Sequence, residues 1–185
     1  MSPPHKPTRQ ELLDAVGRTM PDLIAPGLRV LFCGINPSLY SAVVGYHFAR
    51  PGNRFWPTLH AAGITRRQLA PSEQEELLRL GYGITNVVDR ATATAAELAD
   101  AELTEGGRRL VRKVRRCRPR VLAMLGISAY RLAFGRPEAQ LGLQPETMGA
   151  TRLWVLPNPS GLNAHYQLEE LARLYRQLRR AAERD

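Results

Sequence analysis

The sequence predicts an α/β fold: a three-layer αβα sandwich whose central sheet is mostly parallel, has about four strands, and carries helices on both faces. Three observations predict it. Short apolar runs recur at residues 30–33, 84–88, 121–125 and 153–156, each too short for a helix and read as a buried strand. Helical patterns separate these runs, and strand–helix alternation gives a parallel sheet covered on both sides. Two of the runs end in turns of the same chemistry, an Asn-Pro pair with a Ser and a Gly, and loops at the carboxyl ends of parallel strands are where such sheets hold ligands.

Each element follows in order. Residues 1–7 are Pro-rich and are expected to be disordered. Residues 8–18 read as a short helix with Leu12, Leu13 and Val16 on one face. Together, residues 1–22 form an N-terminal extension to a single domain spanning 23–185. Pro26-Gly27 turns the chain into the first strand. Asn53 can cap a helix bearing Phe55, Trp56, Leu59 and Ala62 and stopped near Gly63, with Pro57 tolerated in its first turn. Ser72 and Glu75 form a capping box for a helix to about Leu80. The strand at 84–88 ends at Asp89-Arg90. Residues 91–103, rich in Ala and Thr, read as loop plus a short helix. Residues 104–117 are a basic helix with Leu110, Val111 and Val114 as its apolar stripe. A helix at 128–134 follows the third strand, and the last helix covers 166–182.

The 185 residues suit one domain with a full core, and a hydrophobic share of 44% lets it fold without staples. No apolar run approaches the ~20 residues that cross a bilayer, and the first seven residues lack the apolar centre of a secretory signal. The two cysteines, Cys33 and Cys117, cannot ligate a four-cysteine iron–sulfur cluster, and no His, Cys and carboxylate cluster has metal-ligand spacing. No cofactor and no metal is therefore expected. A reducing cytoplasm is the simplest compartment. Lys and Arg total 26 against 17 Asp and Glu, a net charge of +9. That balance is the footprint of a nucleic-acid binder, or of an Arg-rich proteome.

Three motifs stand in order along the chain: Gly34-Ile35-Asn36-Pro37, Pro51-Gly52-Asn53-Arg54-Phe55-Trp56 and Asn158-Pro159-Ser160-Gly161-Leu162. Taken together they resemble the mismatch-specific uracil-DNA glycosylase and thymine-DNA glycosylase branch of the uracil-DNA glycosylase superfamily, over residues 23–178. The resemblance implies a monofunctional enzyme of the bacterial nucleoid, a monomer acting on double-stranded DNA with uracil mismatches. It would flip uracil, opposite guanine, out of the duplex and hydrolyse the N-glycosidic bond to leave an abasic site. Thymine and modified bases are further candidates.

Such a reaction needs a base taken out of the stack, stabilisation of the charges that develop, and a water at the sugar carbon. Phe48 matches the family's base-stacking Phe; from the residues alone it reads as a buried loop aromatic. Backbone N–H groups near Ile35 and Phe48 can hydrogen-bond uracil oxygens, and Asn158 joins them as a base-binding candidate. Asn36 stands where this branch carries the Asn that positions water, which an amide can orient but not deprotonate; otherwise it is a turn residue bonding its own backbone. Leu162 matches the apolar wedge that fills the vacated stack. Gly161 would let backbone approach the widowed base, Ser160 would bind a phosphate, and His165 could reach the backbone or the opposite strand.

Two departures stand out: Ser38 where the family commonly has Gly, and Asn163-Ala164-His165 after the Gly-Leu pair. Asp89, directly after a strand, is a second catalytic candidate that could assist Asn36; the competing reading pairs it with a nearby arginine or makes it a turn cap. Two rivals to the whole reading are a non-catalytic DNA-binding module and a Rossmann-like small-molecule enzyme. The latter predicts a Gly-x-Gly-x-x-Gly turn that the loop after Cys33 lacks.

Overall fold

Five strands form the sheet in a computed structural model that describes residues 6–184. They are β1 (Val30–Gly34), β2 (Tyr82–Asn86), β3 (Val121–Leu125), β4 (Gly142–Met148) and β5 (Thr151–Leu156), in the order β2-β1-β3-β5-β4. The first four in that order are parallel, and β4 runs antiparallel along the edge of β5. The chain leaves β1 for β2 on one side and then crosses to β3 on the other. A crevice opens where the winding direction changes, at the carboxyl end of β1.

Alternation along the strands feeds two cores. Val30 and Phe32 face one layer, where α3 (Phe55–Ala61), α4 (Gln74–Arg79) and α7 (Leu168–Glu183) contribute Phe55, Leu59, Leu77, Tyr175 and Leu178. Leu31 and Cys33 face the other, built from α5 (Asp100–Cys117) and α6 (Ile127–Phe134) through Leu110, Val114 and Tyr130. This is the three-layer α/β architecture that the apolar runs imply. Among the described residues, no helix is long and apolar enough to cross a membrane.

Several elements differ from the sequence reading. The sheet has a fifth strand, β4, whose Gly142, Gln144, Pro145 and Glu146 disguise it as a loop. A helix not read at all, α2 (Leu39–Val44), follows β1; Ser38 Oγ caps it by accepting from Ser41 N–H, and Gly45 ends it at φ 80°. β2 spans Tyr82–Asn86, so it starts and ends two residues earlier than expected. α5 begins at Asp100, ahead of the basic stretch. α1 (Arg9–Asp14) is shorter than expected and is capped by Thr8. Leu13 and Val16 do not face inward, being 54% and 55% exposed; Ala15 is the residue buried there. Of the stretch 1–7 expected to be disordered, residues 1–5 lie outside the described residues.

Two adjacent glycines set the depth of α5. A Cβ at Gly106 would stand 2.3 Å from the carbonyl oxygen of Val87, and one at Gly107 2.3 Å from that of Ala133. Both obstacles are backbone, which cannot swing aside. Gly106→Ala is therefore expected to lower stability by about 1–3 kcal/mol through overpacking, although alanine gains ~1 kcal/mol in helix propensity. A thermal melt measures it; a midpoint equal to or above the parent's shows that α5 does not need this approach.

Candidate active site

A cavity of about 390 Å³ occupies the crevice at the carboxyl end of β1. Four segments wall it: the turn Gly34 to Ser38, the loop from His47 to Asn53, Asn86 at the end of β2, and the loop holding Asn158, Ser160, Leu162 and Asn163. Thr92 to Ala95 close the remaining side. No Asp, Glu or Lys is among the described residues lining it.

Asn36 is held across the chain, not by its own turn. Its Nδ2 donates to the carbonyl of Arg90 (3.0 Å) and to Thr92 Oγ1 (2.7 Å), and Thr92 in turn donates to the carbonyl of Thr94 (2.7 Å). A backbone carbonyl only accepts, so this contact fixes which end of the amide is nitrogen. Oδ1 is left without a partner among the described residues, an acceptor on the cavity wall.

Phe48 has φ 53°, a left-handed conformation rare for a bulky residue. Such strain costs about 1–3 kcal/mol and collects at functional sites. Its ring packs on Phe55 at 4.2 Å between centroids. A Cβ at Gly34 would meet that ring at 3.2 Å and Asn86 Oδ1 at 2.6 Å, so glycine is what lets both reach the cavity floor. Asn86 is 93% buried, being 7% exposed, and its carboxamide has no hydrogen-bond partner among the described residues. A flat aromatic below and an amide with both donor and acceptor beside it suit a planar heterocycle.

His47 adds a directed acceptor. Its Nε2 lies 3.0 Å from the carbonyl of Pro21, so this nitrogen carries the proton and Nδ1 carries the lone pair. Burial lowers its pKa from the ordinary 6.5, opposed by the bond to Pro21. A histidine depressed in the fold adds no pH dependence above 6.5. As pH falls below 6.5 the unfolded chain takes up a proton that the folded chain refuses, so stability drops until the folded group also titrates. Melting midpoints should therefore fall as pH drops below 6.5, and fall less in His47→Gln. Parallel curves for the two proteins overturn this assignment.

The loop after β5 is tied down by one arginine. The guanidinium of Arg54 donates to the carbonyls of Ser160 (2.7 Å), Asn163 (2.6 Å) and Tyr166, and Arg54 N–H donates to that of Pro159 (2.9 Å). Asn158 Oδ1 accepts from Ser160 N–H (3.0 Å). The result is a fixed loop with Leu162 at its tip, 68% exposed.

The family model described as the uracil DNA glycosylase superfamily matches residues 21–179. The chain belongs to the uracil DNA glycosylase superfamily. Its fold is similar to the solution structure of a Methanosarcina acetivorans protein described as a candidate uracil DNA glycosylase, with a TM-score of 0.59 and 21% identity over 89% of this chain and 99% of that one. Members of the superfamily are DNA glycosylases, so DNA is the partner and an N-glycosyl bond the target.

Of the residues singled out from the sequence, the glycosylase cavity collects Ile35, Asn36, Phe48, Asn158, Ser160 and Leu162. Gly161 and His165 are exposed in the same loop but do not line it. The close approach at Gly161 is internal: a Cβ there would stand 2.5 Å from the carbonyl oxygen of Gly52. His165 N–H donates to Asn163 Oδ1 (3.2 Å). Asp89 also stands off the wall, because β2 ends at Asn86 and not at Val88. Its carboxylate, 46% exposed, faces Lys113 Nζ at 4.0 Å, an ion pair with a lysine where an arginine was considered. The sequence reading missed His47, Asn86 and the anchoring by Arg54. The signal for Asn86 was present: a carboxamide inside a buried run requires a partner that the strand cannot supply.

Proposed function

We propose that this superfamily member is a monofunctional uracil-DNA glycosylase of the mismatch-specific branch, acting on uracil opposite guanine in duplex DNA. The observation that carries the reading is the single cavity that gathers Asn36, Phe48, Asn86 and Asn158 below Leu162. An extruded uracil stacks on Phe48, and the Asn86 carboxamide pairs with its donor–acceptor edge. Asn36 Oδ1 accepts a hydrogen bond from the attacking water and aims it at the sugar carbon. With no carboxylate among the described residues of the wall, that water stays weakly activated. The barrier then falls mainly by stabilising the departing base, which favours bases that leave as stable anions. Asp89, off the cavity lining and 4.0 Å from a Lys113 that Asp22 holds at 2.6 Å, is left out of this catalytic reading.

The test is single-turnover excision from labelled duplexes carrying uracil or thymine opposite guanine, and uracil opposite adenine, all in EDTA. Alkali-labile abasic product from the uracil–guanine duplex, with no borohydride-trapped adduct, is the expected result. No product on any uracil duplex rejects the reading, leaving a DNA-binding module. For the wedge, Leu162→Ala should weaken duplex binding about tenfold, ~1.4 kcal/mol, and spare excision from single strands. Equal losses on both substrates remove Leu162 from that role.

A further inference from the structure

A second depression of about 390 Å³ lies beside the base cavity, and the N-terminal extension builds one of its banks. Lys6, Pro7 and Leu12 face Leu39, Tyr40 and Pro51 across it, and Ser38, Arg50 and Ala93 line both depressions. The two are therefore one continuous track. The new groove has an apolar floor and two cations at its rim. Lys6 and Arg50 are exposed, form no ion pair among the described residues, and meet no carboxylate on the groove's lining.

The bank is anchored. Thr8 and Glu11 form a reciprocal cap, with Glu11 Oε2 accepting from Thr8 N–H at 2.7 Å. Ala15 is fully buried. Gly17 N–H donates to the carbonyl of Ala91 (2.9 Å), and Ala91 N–H to that of Arg18 (2.8 Å). Arg90 and Thr92, the two residues that hold the Asn36 amide, flank Ala91.

We propose that this groove takes the nucleotide next to the extruded one, its sugar and base over Tyr40 and Pro51 and its phosphate between Lys6 and Arg50. The inference rests on the reading that the neighbouring cavity holds an extruded base. Continuity with that cavity and charge complementarity select DNA as the occupant: an apolar face joined to one anion is what a single nucleotide presents. The N-terminal extension is then part of the substrate site.

The experiment measures binding of full-length Lys6→Ala, Lys6→Glu and Lys6→Arg to a duplex holding a cleavage-resistant 2′-fluoro uracil nucleotide, across a range of salt. Lys6→Ala should weaken binding about three- to tenfold near 0.1 M salt and reduce the log–log salt slope by about 0.9, the value for one phosphate. Lys6→Glu should weaken it further, and Lys6→Arg should restore it. Replacing the phosphate that flanks uracil by a neutral methylphosphonate should remove most of the Lys6→Ala effect. Unchanged affinity and slope in both Lys6→Ala and Lys6→Glu overturn the proposal, as do additive effects with every methylphosphonate within two nucleotides of uracil. If an unmodified uracil–guanine duplex is never cleaved but binding to the resistant duplex depends on Lys6, the catalytic reading fails and the track stands. If cleavage is normal and Lys6 is without effect, the track alone fails.

Discussion

Asn36→Ala is expected to slow uracil excision by about 10²–10³, the usual loss when one preorganised hydrogen-bonding group is removed from a reacting centre. The side chain does two things at once. Its nitrogen binds Arg90 and Thr92, and this leaves its oxygen an acceptor without a partner among the described residues. Alanine removes both functions, and the carbonyl of Arg90 loses a donor. Asn36→Asp separates them. A carboxylate is the stronger base, but it has no N–H, so it sets an anion against the Arg90 carbonyl and must rotate or take up a proton. Asn36→Asp should therefore also fall well below the parent near neutral pH. Single-turnover rates on the uracil–guanine duplex, with folding checked by melts, decide it. A folded Asn36→Ala that cleaves within threefold of the parent rules out the water-positioning role.

Arg54→Lys should show the next largest effect, although Arg54 does not line the cavity. One planar guanidinium binds the carbonyls of Ser160, Asn163 and Tyr166. Lysine keeps the charge and cannot span three acceptors in that fork geometry. Hydrogen bonds to charged groups contribute about 1.5–3 kcal/mol each. Losing two of them costs on the order of 3 kcal/mol, or roughly 6–12 °C in melting midpoint for a chain of this length. The loosened loop also carries Leu162, so duplex excision should fall more than single-strand excision. An Arg54→Lys protein that melts and cleaves like the parent shows that the loop is held by other contacts.

Much of this site was legible because its residues sit in loops, where turn chemistry and motif order are read directly. Asn36, Phe48 and Leu162 reach one cavity from separate turns, and it was the family resemblance carried by the three ordered motifs that grouped them. What stayed hidden depends on distance in space. Arg54 stands in the second motif without an assigned role until the β5 loop is brought over it. Asp89 drew attention as a carboxylate after an apolar run. The paired Val87 and Val88 extended that run past the true strand end, which placed Asp89 where Asn86 stands. β4 was missed because an edge strand facing water can carry Gly, Pro and Glu, and so lacks the apolar signal of a buried one. α2 escaped for the opposite reason: six residues are too few to show a helical period.

The two margins of the sheet explain how a chain with five strands avoids recruiting a sixth from a neighbour. On the β4 side, Pro145 has no N–H to offer, and the pairing shifts register between Leu143 and Thr147. Glu146 is turned into bonds with Tyr130 and Arg136. On the β2 side, Leu23 exchanges two backbone hydrogen bonds with Ile84, at 2.9 and 2.7 Å, and lies over the outer edge. An incoming extended segment therefore finds an interrupted row of donors at one margin and an occupied one at the other.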